Sequence, residues 1–324
     1  MKYALLFLGA VSVVIIGWWG WSQVAQVSGA RVFSSARIES FQTPRGHEEL
    51  PPITILFGGD IMLDRYIRTV THRQGNDFVL ASLKSVLSAQ DRVIANLEGP
   101  ITVNPSVSET SQIGEAKNYI FTFPLESADW LKQNHIGIVN LGNNHILNFG
   151  VVGVQSTERA LQSAAIKYFG SPTAENRTLI DTIRGLKIGL VNYNQFVYQG
   201  KEKALADIAS IRSQVDVLLL YAHWGKEYVT ALPQVKDLAH EFVDAGADVI
   251  IGSHPHVIQE KEIYKGKTIY YSLGNFVFDQ YQDKMTQQGL LVQLSIDPET
   301  KELYFEDIPI FLTPNGQTRL EINQ

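Results

Sequence analysis

ITILFGGD, residues 53–60, decides how the chain is read: the apolar, β-branched run Ile53–Gly58 passes through Gly59 into Asp60. A run this short, rich in β-branched residues and bounded by glycine, predicts a buried strand. The same construction recurs four times further along. RVIAN runs into Leu97-Glu98, IGIVNL into Gly142-Asn143-Asn144-His145, VDVLLLY into Ala222-His223, and DVIIG into Ser253-His254-Pro255-His256. Five strands therefore each end in a side chain able to bind a metal. In α/β sheets the carboxyl ends of parallel strands share one edge, where ligands bind. Asp60, Glu98, Asn144, His145, His223, His254 and His256 are thus expected to converge there.

Amphipathic stretches separate these runs. The spacing of apolar residues predicts helices over 77–89, 125–134, 154–165 and 235–245, and a hairpin, 178–183 with 186–193, around Arg184-Gly185. Toward the C-terminus the strands 259–264, 267–273, 289–295 and 304–312 follow one another with no helix between them, which reads as a β meander. The expected class is α/β, with two sheets packed together and helices outside. Thr102–Lys117 is a long polar loop, a lid or a plain insertion. His47, His72, His135 and His240 are expected to be structural or exposed.

The chain has no cysteine, so any metal must be held by His, Asp, Glu or Asn. Two carboxylates, an amide oxygen and several imidazoles suit Mn²⁺, Fe or Zn²⁺. They exceed the needs of one four-coordinate ion, so two divalent metal ions sharing a carboxylate are expected, about 3.5–4 Å apart as in two-metal sites. Each residue also has a plain reading: Asp60 as a turn or helix cap, Glu98 as a solvated loop carboxylate, His223 as a packing histidine. Coincidence at all five strand ends is what the metal reading excludes.

The formal charge is −6, from 33 acidic and 27 basic residues, without a basic run, which excludes a nucleic-acid surface. Tyr3–Trp21 passes without a charge and ends in Trp18, Trp19 and Trp21, the pattern of a membrane-spanning helix with an interfacial belt. The expected layout is an anchor over 1–22, a polar tether over 23–52 and a folded domain over 53–324. Ser28-Gly29-Ala30 offers the competing reading of a cleaved signal peptide. Flanking charges leave the orientation open.

The stretches GGDIMLDR (58–65), ANLEGPIT (95–102), NLGNNHILNFG (140–150), YAHWGKEY (221–228), AGADVIIGSHPHVIQ (245–259) and YSLGNFVFD (271–279) resemble, in order, those of the CapA-type capsule-synthesis proteins of poly-γ-glutamate biosynthesis, within the calcineurin-like metallophosphoesterase superfamily. That resemblance implies a metallophosphoesterase-like four-layer α/β-β-α sandwich with two mixed sheets and a two-metal centre. Asp60 and His256 would hold the first ion, Glu98 would bridge, Asn144, His223 and His254 would hold the second, and His145 would be the general acid or polarise the leaving oxygen. Asp64, Asn143 and Asn275 would support the ligands. The sequence departs from the superfamily at two places: Met62 stands where a His is usual, and Glu98 where an Asp is usual. The first ion is then short of a ligand unless Asp64 or water supplies it.

The implied setting is a single-pass cell-membrane protein with its main domain outside the cytoplasm. It would act on an anionic surface polymer or its precursor, beside partner membrane subunits of a capsule synthesis complex. A non-catalytic metal- or polymer-binding component of a capsule export complex is the alternative. A soluble intracellular phosphatase would leave the N-terminal apolar run unexplained.

Overall fold

Ile55 and Phe57 point to one side of the first strand and Leu56 to the other, yet all three are buried. A strand covered on both faces carries a continuous apolar run rather than an alternating one, which is why these strands read as they do. In a computed structural model that describes residues 50–173 and 177–321, the chain is mixed α/β with two mixed sheets. It begins one sheet with β1 (Ile53–Ile61), β2 (Arg92–Leu97), β3 (Ile138–Asn140) and β4 (Lys167–Phe169), all parallel. It then builds the second sheet from β5 (Thr178–Ile183), β6 (Leu186–Asn194), β7 (Val217–His223), β8 (Val249–Ser253), β9 (Lys261–Tyr264) and β10 (Lys267–Tyr270). The last strands, β11 (Asn275–Val277), β12 (Gln288–Ile296), β13 (Leu303–Leu312) and β14 (Thr318–Leu320), return to complete the first sheet.

Seven α-helices accompany these strands among the described residues: α1 (Arg65–Gln74), α2 (Lys84–Ser88), α3 (Ser127–Gln133), α4 (Gly150–Ser163), α5 (Gly200–Ile211), α6 (Pro233–Asp244) and α7 (Lys284–Gln287). Three apolar cores organise them. Between the sheets, Phe57, Ile94 and Phe169 meet Leu190, Leu219 and Ile251. Outside the first sheet, Leu56 and Val139 pack with Ile67, Leu131 and Leu161 of the helices. Outside the second, Leu220 and Ile250 pack with Ile208 and Phe242. In α6 the buried residues Val235, Ala239, Phe242 and Val243 recur at helical spacing behind Pro233, which suits the first helical position.

The hairpin forms where expected, with Arg184 at φ 48° and Gly185 at φ 90°. Two successive left-handed residues give the turn whose twist matches paired strands. The expected meander does not form. β9 and β10 extend the second sheet beyond β8, whereas β12 and β13 pair on the other side of β1, and α7 stands between the two pairs. The predicted helix over 77–89 is a 3₁₀ turn at Ala81–Leu83 followed by the five-residue α2. His72 and His135 are exposed, and His240 stacks on Tyr264 at 3.8 Å with Nε2 2.8 Å from Glu262 Oε1, as expected of structural or exposed histidines.

The anchor, the tether to residue 49 and His47 lie outside the described residues. Among the described ones no helix is long and apolar enough to cross a membrane. Where the tether meets the fold, Arg184 donates to the carbonyls of Pro51 and Pro52 at 3.0 and 2.7 Å.

Asp64 is buried and hydrogen-bonded through both carboxylate oxygens. Its Oδ1 accepts from Arg68 Nε at 2.8 Å, and Oδ2 accepts from Ser108 Oγ at 2.8 Å and Thr122 N at 2.9 Å. Both oxygens are thereby committed to holding α1 and the polar loop, not to a metal. Asp64→Ala would strand Arg68 with its side chain 10% exposed. The expected loss is about 3–5 kcal/mol, the range for breaking a buried pair, read as a lowered urea midpoint with unchanged slope.

Candidate metal centre

The strand-end residues meet at the carboxyl edge that the two sheets share. Asp60 is the penultimate residue of β1, Glu98 follows β2, Asn144 and His145 follow β3, His223 ends β7, and His254 and His256 follow β8. His223 Nε2 lies 2.8 Å from Asn144 Oδ1. The Nε2 atoms of His145, His223 and His256 each lie 3.9 Å from Glu98 Oε1. His256 Nδ1 is 3.4 Å from Asp60 Oδ2, which also accepts the backbone N–H of His254 at 3.0 Å.

Backbone geometry brings them there at a cost. His254 and His256 hold φ of 94° and 58°, a region that branched or bulky residues rarely adopt. Such conformations persist where surrounding bonds enforce them, and they cluster at functional sites. A Cβ on Gly142 would lie 2.0 Å from Asn192 Oδ1, so only glycine lets the Asn143–His145 loop lie against β6.

A layer of buried amides fixes the ligands from behind. Asn96 Nδ2 donates to Asp60 Oδ1 at 2.8 Å and lies 3.3 Å from His223 Nδ1. Asn96 Oδ1 accepts from Asn140 and Asn143 at 2.9 and 3.1 Å. Asn143 Oδ1 caps the turn by accepting the N–H groups of His145 and Ile146 at 3.1 and 2.9 Å. Asn275 donates from Nδ2 to Thr286 O and Gln280 Oε1, so its Oδ1, 3.0 Å from His256 Nδ1, accepts the imidazole proton. His256 Nε2 faces Glu98 Oε1 at 3.9 Å. Asn148 Oδ1 takes the Phe121 N–H at 2.8 Å and lies 3.3 Å from His145 Nδ1, so His145 presents a bare Nε2.

Sequence reasoning included Asn143 and Asn275 but missed Asn96. Its signal was a polar residue inside an otherwise apolar strand, repeated at Asn140, Asn192 and Asn194. Asn96→Ala is expected to weaken metal affinity by about 10- to 100-fold, as loss of ligand-supporting bonds does, measured by titration with Mn²⁺ or Zn²⁺ after chelation.

Charges follow the geometry. Burial and the nearby Asp60 charge push the Glu98 carboxyl well above the usual range. Burial would also raise Asp60, but the hydrogen bond and charge of His256, with the hydrogen bond from Asn96, hold it at about 2. Burial pushes His145 and His254 each down to about 4, and His223 well below the usual imidazole range. These three imidazoles are therefore neutral near pH 7 and available as donors of lone pairs.

The donor set fits a divalent cation. Among the described residues, Glu98 Oε1 and Oε2 and His254 Nδ1 are buried with no hydrogen-bond partner. Buried polar groups are normally satisfied, and a bare carboxylate is among the most costly to leave alone. Glu98, His254 and His256 offer donor atoms within 4.8 Å of one another and could hold a metal ion. Two donors bound to one ion at about 2.1 Å lie roughly 3–4 Å apart, which matches the 2.8–3.9 Å contacts around His223. Two residues before Asp64, the buried Met62 side chain offers its sulfur to Asp64 N at 3.1 Å, and no imidazole stands there.

Comparison with known proteins agrees with the fold and the motif order. The model of a family described as bacterial capsule synthesis protein PGA_cap matches residues 54–280. The chain is 30% identical over 274 residues to the capsule biosynthesis protein CapA of Bacillus anthracis, covering 77% of this chain and 65% of that protein. It is 31% identical over 256 residues to the PGA biosynthesis protein CapA of Bacillus subtilis (strain 168), covering 73% and 66%. The chain thus spans just under two thirds of the length of these relatives. A crystal structure of a hypothetical protein from Thermus thermophilus shares the fold, with a TM-score of 0.51 and 14% identity over 79% of this chain and 98% of that one.

Proposed function

Because this chain belongs to the bacterial capsule synthesis family, we propose that it is a membrane-anchored, extracytoplasmic protein of poly-γ-glutamate capsule biosynthesis or export that carries a metal-dependent hydrolase-type site. The observation that carries the site is Glu98, whose two buried oxygens have no hydrogen-bond partner among the described residues and whose Oε1 lies 3.9 Å from three imidazole Nε2 atoms. Asp60, Glu98, Asn144, His223, His254 and His256 would hold the divalent ions, two by count of donors, in a metallophosphoesterase-like four-layer sandwich. The ions, when bound, supply Lewis acidity to the reacting centre of an ester or amide.

The chain's own residues do the rest. His145, neutral and with a bare Nε2, accepts a proton from the attacking water and returns it to the leaving group. Asn148 keeps its ring in that tautomer, and Phe121, 4.4 Å from it, shuts water from one face. Asn275 and Asn96 hold His256 and Asp60 in place. Anionic surface polymer, or its precursor, is the substrate class that the family name supports, with partner subunits in the same membrane.

A second reading, metal or polymer binding without catalysis in a capsule export complex, is favoured by one observation. With Met62 packed into the core and Asp64 spent on Arg68, Ser108 and Thr122, Asp60 lacks the extra ligand that a second ion would take. Metal analysis of the purified full chain, with hydrolysis of a phosphodiester and of poly-γ-glutamate under Mn²⁺ or Zn²⁺, decides between them. Bound metal with turnover supports the hydrolase, metal without turnover supports the second reading, and no metal overturns the metal site in both.

A further inference from the structure

Behind His256 the hydrogen bonds do not stop at Asn275. They run on through Gln280 and Tyr228 to Glu227, a residue of the YAHWGKEY motif with no place in the metal cluster. One backbone carbonyl sets the direction of the whole series. Thr286 O can only accept, so the atom 3.0 Å from it is the Asn275 amide nitrogen, and the Asn275 oxygen takes the His256 Nδ1 proton at 3.0 Å. The second amide proton of Asn275 goes to Gln280 Oε1 at 3.2 Å, which turns Gln280 Nε2 toward the Tyr228 hydroxyl, 3.0 Å away. That hydroxyl, having accepted, gives its own proton to the Glu227 carboxylate. Burial, the charge of Glu227 and the hydrogen bond to it together push the Tyr228 hydroxyl above its ordinary range.

Four bonds therefore point the same way, each donor on the cluster side and each acceptor on the Glu227 side, and an anion closes the series. Hydrogen bonds joined in this manner polarise one another. The Glu227 charge makes the Tyr228 oxygen a stronger acceptor, and the effect passes back through two amides to the His256 ring. A stronger acceptor on Nδ1–H raises the basicity of the ring's other nitrogen, the one that would face a metal. Amide groups do not release protons at neutral pH, so the series carries polarisation and not protons. Its members are held in place. Asn275 is fully buried, Gln280 O accepts from Thr286 Oγ1 at 2.7 Å, and Tyr228, at φ 62°, donates its N–H to Pro255 O at 3.0 Å, between the two histidines.

We propose that Glu227 is a positioning residue for the metal cluster, acting on His256 through Tyr228, Gln280 and Asn275. The inference rests on the reading of the cluster as a metal site. It strengthens one imidazole in the half of that site where Met62 and Asp64 supply no ligand. The competing account is direct: the Glu227 charge also reaches Glu98 across space.

Two measurements on the full chain in detergent separate these accounts: the His256 Nδ1–H resonance in metal-free protein with isotope-labelled histidine, and Zn²⁺ affinity by calorimetry after chelation. Glu227→Gln keeps an oxygen for Tyr228 to donate to but removes the charge. The resonance is expected to move upfield, and Zn²⁺ affinity to fall by up to about 10-fold, the lower end of the range for a partner that supports a ligand. Tyr228→Phe, at a half-exposed residue, deletes only the hydroxyl and is expected to do the same. Adding Glu227→Gln to Tyr228→Phe then changes neither measurement further, because residues acting through one another are not additive. If Glu227→Gln lowers affinity equally in both backgrounds, its charge acts across space and the series is overturned. A resonance unmoved in both single variants also overturns it and leaves these bonds a clasp between two loops. A resonance that moves as expected in a protein that binds no Zn²⁺ keeps the link from Glu227 to His256 and removes the cluster's metal reading instead.

Discussion

Glu98→Gln is expected to lower metal affinity by at least about 100-fold, beyond the effect of losing a supporting bond, and at the same time to steady the metal-free protein at neutral pH. Both follow from a carboxyl group that is buried, without a hydrogen-bond partner among the described residues, and raised well above the usual range by burial and by Asp60. Between the unfolded value of 4.5 and the raised folded value, the folded chain holds a proton that the unfolded chain has released. Stability therefore falls as pH rises through that window, by up to about 1.4 kcal/mol per pH unit for one proton. The amide of the variant has nothing to titrate, so the difference between variant and wild type should grow in the variant's favour as pH climbs above 4.5. Comparing the two proteins also cancels the opposing trend of His145 and His254, which cost stability as pH falls from 6.5 toward 4. Urea unfolding in chelator from about pH 5 to 8, with metal counted by mass spectrometry, measures both effects. A variant that keeps its metal, or whose advantage shrinks with rising pH, contradicts the assignment.

His145→Gln is expected to cut Mn²⁺-dependent turnover by about 10²- to 10⁴-fold, the contribution of a placed proton-transfer group, while metal content stays at the wild-type level. His145 differs from the other histidines in that Asn148 anchors its far nitrogen and its near one touches the cluster only through the 3.9 Å approach to Glu98. Because burial holds it down to about 4, it remains an acceptor through the neutral range and loses that role only as pH falls through the low value. In the variant the acid limb of the kcat/KM profile should flatten. Loss of metal in step with loss of turnover would make His145 a ligand and not the proton carrier.

Much of the site is legible in the residues alone. The strand-end residues can be read because these strands are largely apolar on both sides, so a polar residue at the end stands out against its own run, as Asp60 does after ITILFGG. α5 was missed because its buried face, Ala204, Asp207, Ile208 and Ile211, contains one alanine and one charge and gives a faint period. β4 and β11 are three residues each, held by neighbours and not by their own composition. The meander failed for a reason no local pattern carries. Pairing is decided by which edge is free, and β1 offered one to β12 while β8 offered another to β10. Asp64 looked like a spare ligand because sequence spacing shows where a carboxylate lies along the chain but not that Arg68, four residues on, already claims it.

The order in which the cluster is filled follows from how the two sheets are threaded. Asp60, Glu98 and Asn144 come from strands laid down early, His223, His254 and His256 from the sheet built in the middle, and Asn275, which orients His256, from the strand that returns to close the first. No fragment that stops short of β11 contains Asn275 to orient His256, so a metal ion would meet the complete set of supporting bonds only once nearly the whole chain is present. Affinity for divalent first-row metals generally rises in one order across protein sites, so the site's geometry, its ligand types and the pool of ions around the chain as β11 docks would together decide among them. Folded in one compartment and then in another, the same sequence would complete its site before a different pool of ions.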